Sequence, residues 1–121
     1  MRWEPPVAVL PRRAVRDGEF AGTTIRAGED VLFAIASANR DPAVFERPDR
    51  FDPSRANLKQ SLVFGHGVHV CLGAQLARHE MRIALGALLE RFPQMEIVDR
   101  DAVEISGAIL RGPRKLTVRV A

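Results

Sequence analysis

FGHGVHVCLGAQLAR, Phe64 to Arg78, holds the only cysteine of the 121-residue chain, Cys71, in a glycine-rich loop that opens directly into a helical pattern. A cysteine in that place meets unpaired backbone N–H groups and the positive end of a helix dipole, both of which favour an anion. The thiolate is the form that ligates metals and attacks electrophiles. Gly65, Gly67 and Gly73 clear side chains from around it, which permits sharp turns and lets a flat object approach the backbone. On the residues alone, four uses stay open. Cys71 can be a small buried hydrophobe. It can join His66, His69 and the distant His79 around zinc, on spacing crowded for the four ligands a structural zinc takes. It can be a hydrolase nucleophile, although neither nearby histidine has an orienting partner in sequence. It can be an axial thiolate to haem iron, which needs one cysteine, an open loop and hydrogen-bond donors to the sulfur.

The rest of the chain narrows the class. Its length suits one small domain, or a piece of one, and is too short for two domains with cores of their own. With 46% hydrophobic and 27% charged residues it has the composition of an ordinary soluble globular protein. Its 18 Lys and Arg are scattered among 15 acids with no basic run, so the net charge of +3 does not point to nucleic acid. The longest mostly apolar run, Val31 to Ala38, cannot span a bilayer, and no membrane is expected. MRWEPPVAVLPRR has prolines where a secretory signal needs an uninterrupted apolar stretch, and a lone cysteine makes no internal disulfide. A cytoplasmic chain is the expectation.

Along the chain, Arg2 to Pro6 reads as the last turn of a helix stopped by Pro5 and Pro6. Short β pieces from Ala14 to Ile25 are broken by Asp17-Gly18 and Ala21-Gly22, both read as hairpin turns. Ala27-Gly28-Glu29 turns into an apolar strand, Val31 to Ala36, and Asp41 to Ser61 is a long irregular stretch of the kind that is usually functional. Leu72 to Phe92 is the strongest helix, ending at Pro93, and its second half, Ile83 to Leu89, is apolar on nearly every side, as in the core of something larger. Strands are expected at Met95 to Val98, Val103 to Ile105 and Leu116 to Val120, with turns at Gly107 and Gly112-Pro113.

Phe64-x-x-Gly67-x-x-x-Cys71-x-Gly73 resembles the haem-binding signature of the cytochrome P450 family, the haem-thiolate monooxygenases, and FGHGVHVCLGAQLARHE is similar to its bacterial soluble members throughout. The resemblance runs in order along essentially the whole chain: Arg2 to Val7 resembles the end of the K helix, and Arg12-Arg13-Ala14, Ala38-Asn39-Arg40-Asp41-Pro42 and Pro48 to Asp52 resemble later family stretches. It implies an α+β piece of a mainly helical fold, residues 1–121 being the C-terminal part of one domain: short β hairpins, a meander, the cysteine loop, one long buried helix and terminal strands.

For the site, the resemblance implies haem b, iron protoporphyrin, with Cys71 as the iron ligand and catalytic centre, its charge favouring O–O cleavage. His69 and Arg12 would meet haem propionates, Phe64 would pack on the sulfur side, and Gly65, Gly67 and Gly73 would line the loop. Arg78 and Arg82 would suit an acidic ferredoxin or flavodoxin donor, and the substrate would be a small organic molecule. There are departures. Arg26 stands where proline is usual, and the glutamate of the K-helix Glu-x-x-Arg would fall two residues before Met1. Without it, Arg2 and Arg50, the members of a buried charge cluster, are expected to be exposed or to weaken the core. The distal helix that delivers protons to oxygen also lies outside the resemblance. Two functions follow as expectations: a monooxygenase that draws electrons from NAD(P)H, or a non-enzymatic haem-binding or inactive remnant.

Overall fold

A computed structural model describes residues 1–120. They form two units, the first made of Met1–Val63 with Gly107–Arg111, the second of Phe64–Ser106 with the chain from Gly112 onward.

The first unit carries β1 (Leu10–Arg13), β2 (Gly18–Phe20), β3 (Thr23–Ile25), β4 (Asp30–Phe33) and a single helical turn, α1 (Ile35–Ala38). β1 pairs antiparallel with β4 and β2 with β3. Ala21 and Gly22 join β2 to β3 with φ of +49° and +77°, the positive pair that a two-residue hairpin turn requires. The turn expected at Asp17-Gly18 is absent: Gly18 opens β2, and the Asp17 carboxylate instead accepts the Ala27 amide at 2.8 Å. The apolar strand expected to reach Ala36 stops at Phe33. Ala34 to Ala38 suits a helix, and the turn it forms buries Ile35.

Arg2 to Pro6 is not helical. Pro5 and Pro6 have no N–H to close a helical turn; the segment bends at Trp3 and Glu4, and Pro6 to Ala8 then pairs antiparallel with 109–111: the Pro6 carbonyl accepts the Arg111 amide at 2.7 Å and Ala8 donates to Ile109 at 2.8 Å. Gly107 makes the return possible at φ +100°, where a Cβ would stand 1.8 Å from the Leu110 carbonyl oxygen.

The interior of this unit holds Ala8, Ile35 and Phe45, but also Arg2 and Asn39. Arg2, 6% exposed, donates to the carbonyls of Asn39 (2.6 Å), Pro48 (2.8 Å) and Arg50 (3.3 Å) and lies over the Phe45 ring. Burial lowers its pKa, and the neighbouring charges of Arg55 and Arg40 lower it further. The expectation for the charge cluster is therefore half corrected. Arg2 is buried, but Arg50 is exposed and contributes only its carbonyl, while the Arg55 guanidinium binds the carbonyls of Arg47 (2.7 Å) and Arg50 (3.2 Å). The turns at Asn39, Pro48 and Arg50 bring three carbonyls to the Arg2 guanidinium, and these solvate the buried cation.

In the second unit the cysteine loop leads into α2 (Ala74–Arg91), two residues shorter at its start and one at its end than the sequence predicts. β5 (Glu96–Ile97) pairs with β8 (Val118–Arg119), and β6 (Ile105–Ser106) with β7 (Gly112–Pro113). Gly112-Pro113, read as a turn, is thus an edge strand, a place where a proline's missing N–H costs no ladder bond. Only Ala74 of α2 is buried. Leu76 and Ile83 lie on one side of the helix and Met81, Leu85 and Leu89 on the other, at about 100° per residue, and all are exposed. The helix forms as expected, but the burial expected of it is not met within this chain, where its apolar residues are exposed on both faces. Among the described residues, no helix is long and apolar enough to cross a membrane.

Candidate functional site

The cysteine loop owes its shape to a few backbone bonds. The Cys71 amide donates to the Phe64 carbonyl at 2.8 Å and so closes the loop. Within it a 3-10 turn, Gly67–His69, has its Gly67 carbonyl accepting the Val70 amide at 3.1 Å. Gly65 and Gly67 take φ of +75° and +71°, which a side chain would strain. The Cys71 carbonyl then accepts the Ala74 amide at 3.1 Å and starts α2.

The helix start is left open for an anion. Gly73 caps it without a side-chain hydrogen bond, and its first turn contains no acid. Among the described residues, the Leu72 and Gly73 amides that follow Cys71 find no acceptor. The thiol itself is exposed. In the same loop Val68 and Leu72 are 96% and 103% exposed, apolar side chains left in solvent. A Cβ on Gly67 would meet nothing within 4 Å, and one on Gly73 would meet the Cys71 Sγ at 4.0 Å. A soft sulfur donor, amides without acceptors directly after it in the chain, glycines around it and exposed apolar side chains in the loop fit an iron porphyrin bound through sulfur. They do not suit zinc: among the described residues no three His, Cys, Asp or Glu side chains are grouped to hold a metal. Nor is Cys71 a buried hydrophobe here.

Seven sequence-predicted residues thus divide. Phe64, Gly65, Gly67, His69, Cys71 and Gly73 share the loop in the second unit, His69 with its side chain exposed. Arg12 lies in β1 of the first unit, exposed, its guanidinium donating to the carbonyl of Pro11 at 2.8 Å. Two features are missed by sequence reasoning. The Arg78 guanidinium lies over the Phe64 ring, 4.7 Å from its centroid. Asn39 is wholly buried, and its Oδ1 accepts the Leu62 amide (2.8 Å) and the Ser61 hydroxyl (3.1 Å), holding the strand of backbone that leads into Phe64. An Asn in a polar run gives no signal of burial, and Phe64 lies outside the helix that carries Arg78, so no helical spacing points to the stack.

The family model described as Cytochrome P450 matches residues 1–120. Mycinamicin IV hydroxylase/epoxidase of Micromonospora griseorubida is 47% identical over 121 residues, 97% of this chain and 30% of that protein. 2-Hydroxy-5-methyl-1-naphthoate 7-hydroxylase of Streptomyces carzinostaticus is 46% identical over 124 residues, 99% of this chain and 30% of that protein. The crystal structure of P450BioI in complex with hexadec-9Z-enoic acid ligated acyl carrier protein superposes with a TM-score of 0.88 at 40% identity, covering 99% of this chain and 31% of that one. The chain therefore spans under a third of the length of these relatives.

Proposed function

Because the chain belongs to the cytochrome P450 family, we propose that it is the C-terminal, cysteine-ligand part of one haem-thiolate monooxygenase domain, both of its units included. The whole protein would insert one atom of O2 into a small organic molecule and release the other as water, with two electrons from NAD(P)H through a ferredoxin or flavodoxin donor in the cytoplasm. The relatives named for hydroxylating a naphthoate and a mycinamicin support a substrate of that kind.

One observation carries the proposal: Cys71 is an exposed thiol at an uncapped helix start, in a loop closed by its own amide. When bound, haem supplies the oxygen-activating chemistry. Cys71 would hold the iron, and the Leu72 and Gly73 amides would donate to the sulfur and tune it. Gly65, Gly67 and Gly73 would keep the loop open, Phe64 would pack on the sulfur side, and His69 and Arg12 would neutralise propionates. Arg78 and Arg82 would offer an acidic donor its docking charge.

The test is haem titration into the purified chain, followed by reduction and carbon monoxide, with Cys71→Ala as control. A strongly red-shifted Soret band that disappears in the variant supports the proposal. A histidine-like band in both proteins refutes the thiolate assignment. The second function, a non-enzymatic haem binder or inactive remnant, is favoured by the two uncovered faces of α2 and by a buried Arg2 that has no ion pair among the described residues. Uptake of haem without substrate oxidation in the presence of a donor and NADPH would select it.

A further inference from the structure

We propose that Arg78 is a positioning residue for Phe64 and, through the Phe64 carbonyl, for the amide of Cys71. From His66 to Leu72 every side chain of the cysteine loop is exposed, so packing does not hold the loop in place. Phe64, half-buried, is its side-chain anchor, and the Phe64 carbonyl receives the Cys71 amide at 2.8 Å. The guanidinium of Arg78 lies over that ring at 4.7 Å.

The two arginine–aromatic stacks of the first unit have further support, which the Arg78 stack lacks, as does Arg91 over Phe92 at 5.7 Å. Arg2 over Phe45 and Arg40 over Trp3 are each held by hydrogen bonds to carbonyls as well. Among the described residues Arg78 makes no hydrogen bond and no ion pair, although it is on an exposed helix face where either could form. The ring is therefore what fixes the cation, and the cation what fixes the ring. An exposed stack of this kind alters a local equilibrium by about two- to fivefold. The equilibrium in question is the opening of the Cys71–Phe64 bond. What this means for haem rests on the function proposed above; the loop geometry does not.

The experiment is amide hydrogen exchange by NMR on the purified 121-residue chain. Arg78→Met keeps the apolar stem and removes the cation, Arg78→Lys keeps the charge, and Phe64→Leu removes the ring. The Ala14 amide, bonded to Glu29 in the first unit at 2.9 Å, reports that the fold is intact. Arg78→Met should speed exchange at Cys71 about two- to fivefold with Ala14 unchanged, Arg78→Lys should restore part of the protection, and Phe64→Leu combined with Arg78→Met should add nothing to Phe64→Leu alone. Unchanged exchange at Cys71, or additive effects in the double variant, would overturn the proposal, and Arg78→Gln provides the same comparison if Arg78→Met alters Ala14. Coupling in a chain that takes up no haem would defeat the functional proposal and leave this one standing; haem uptake without coupling would do the reverse.

Discussion

Arg2 donates a 2.6 Å hydrogen bond to the main-chain carbonyl of Asn39, a residue with no exposed surface. Through its Oδ1, the same asparagine receives Ser61 and Leu62, so one residue, by its main chain and its side chain, joins the start of the chain to the approach of the cysteine loop. Its Nδ2 has no partner among the described residues. The cluster thus contains a buried cation with no carboxylate and a buried donor with no acceptor, both costly.

That imbalance gives substitutions at Asn39 an unusual order. Asn39→Ala removes the acceptor of two donors and should cost about 1–3 kcal/mol. Asn39→Asp keeps that acceptor, deletes the orphaned N–H and brings an anion to the residue that Arg2 already binds. It should be clearly more stable than Asn39→Ala in urea denaturation followed by circular dichroism. The two variants unfolding at the same urea concentration would show that the Oδ1 bonds carry no weight.

Gly107 should not tolerate a side chain. Its φ of +100° is outside what L residues adopt readily, and its Cβ would overlap the Leu110 carbonyl. Gly107→Ala is expected to lose at least about 1–3 kcal/mol, with the bonds from Arg111 to Pro6 and Ala8 to Ile109 the first to open. Thermal melting gives the loss, and exchange at the Ala8 amide gives its location. Gly18, where a Cβ would meet nothing within 4 Å, is the matched control.

Asp52 titrates low because Ser54 donates to it twice, from its hydroxyl at 2.6 Å and its amide at 3.0 Å. A carboxyl whose folded pKa lies below its ordinary 3.8 stabilises the fold above that pH and loses the contribution as the pH falls through the folded value. Ser54→Ala should raise the Asp52 pKa toward the ordinary range in a carboxyl carbon-13 titration, while leaving stability at pH 7 nearly unchanged at so exposed a site.

The cysteine loop was legible because its glycines, its lone cysteine and the helix behind it each limit the backbone locally. Cys71 could be placed at a helix start from composition alone, and α2 was found to within two residues at either end. What escaped depended on distant partners. Arg50 and Arg55 are equally basic in sequence, yet Arg55 enters the cluster and Arg50 turns out, because the irregular meander between them sets which side chain faces inward. Asp17-Gly18 has the composition of a turn, but its carboxylate was claimed by Ala27, ten residues away. Gly112-Pro113 pairs with Ile105-Ser106 for the same reason: local turn preference yields when a strand partner is available.

The long helix supplies the last test. Leu76 and Ile83 on one face of α2 and Leu85 and Leu89 on the opposite face are between 55% and 64% exposed, so the isolated chain displays apolar surface in two directions. Surface of that kind drives association in water. The chain should sediment as concentration-dependent oligomers and bind a dye that fluoresces on apolar surfaces. Leu76→Lys with Ile83→Glu places opposite charges seven residues apart on one face and should remove part of the association without loss of helix, since both side chains are already in solvent. Adding Leu85→Lys and Leu89→Glu should remove the rest. A monomeric parent chain with no dye binding would mean that these side chains find cover in solution, and the four-residue variant would then unfold rather than become monodisperse.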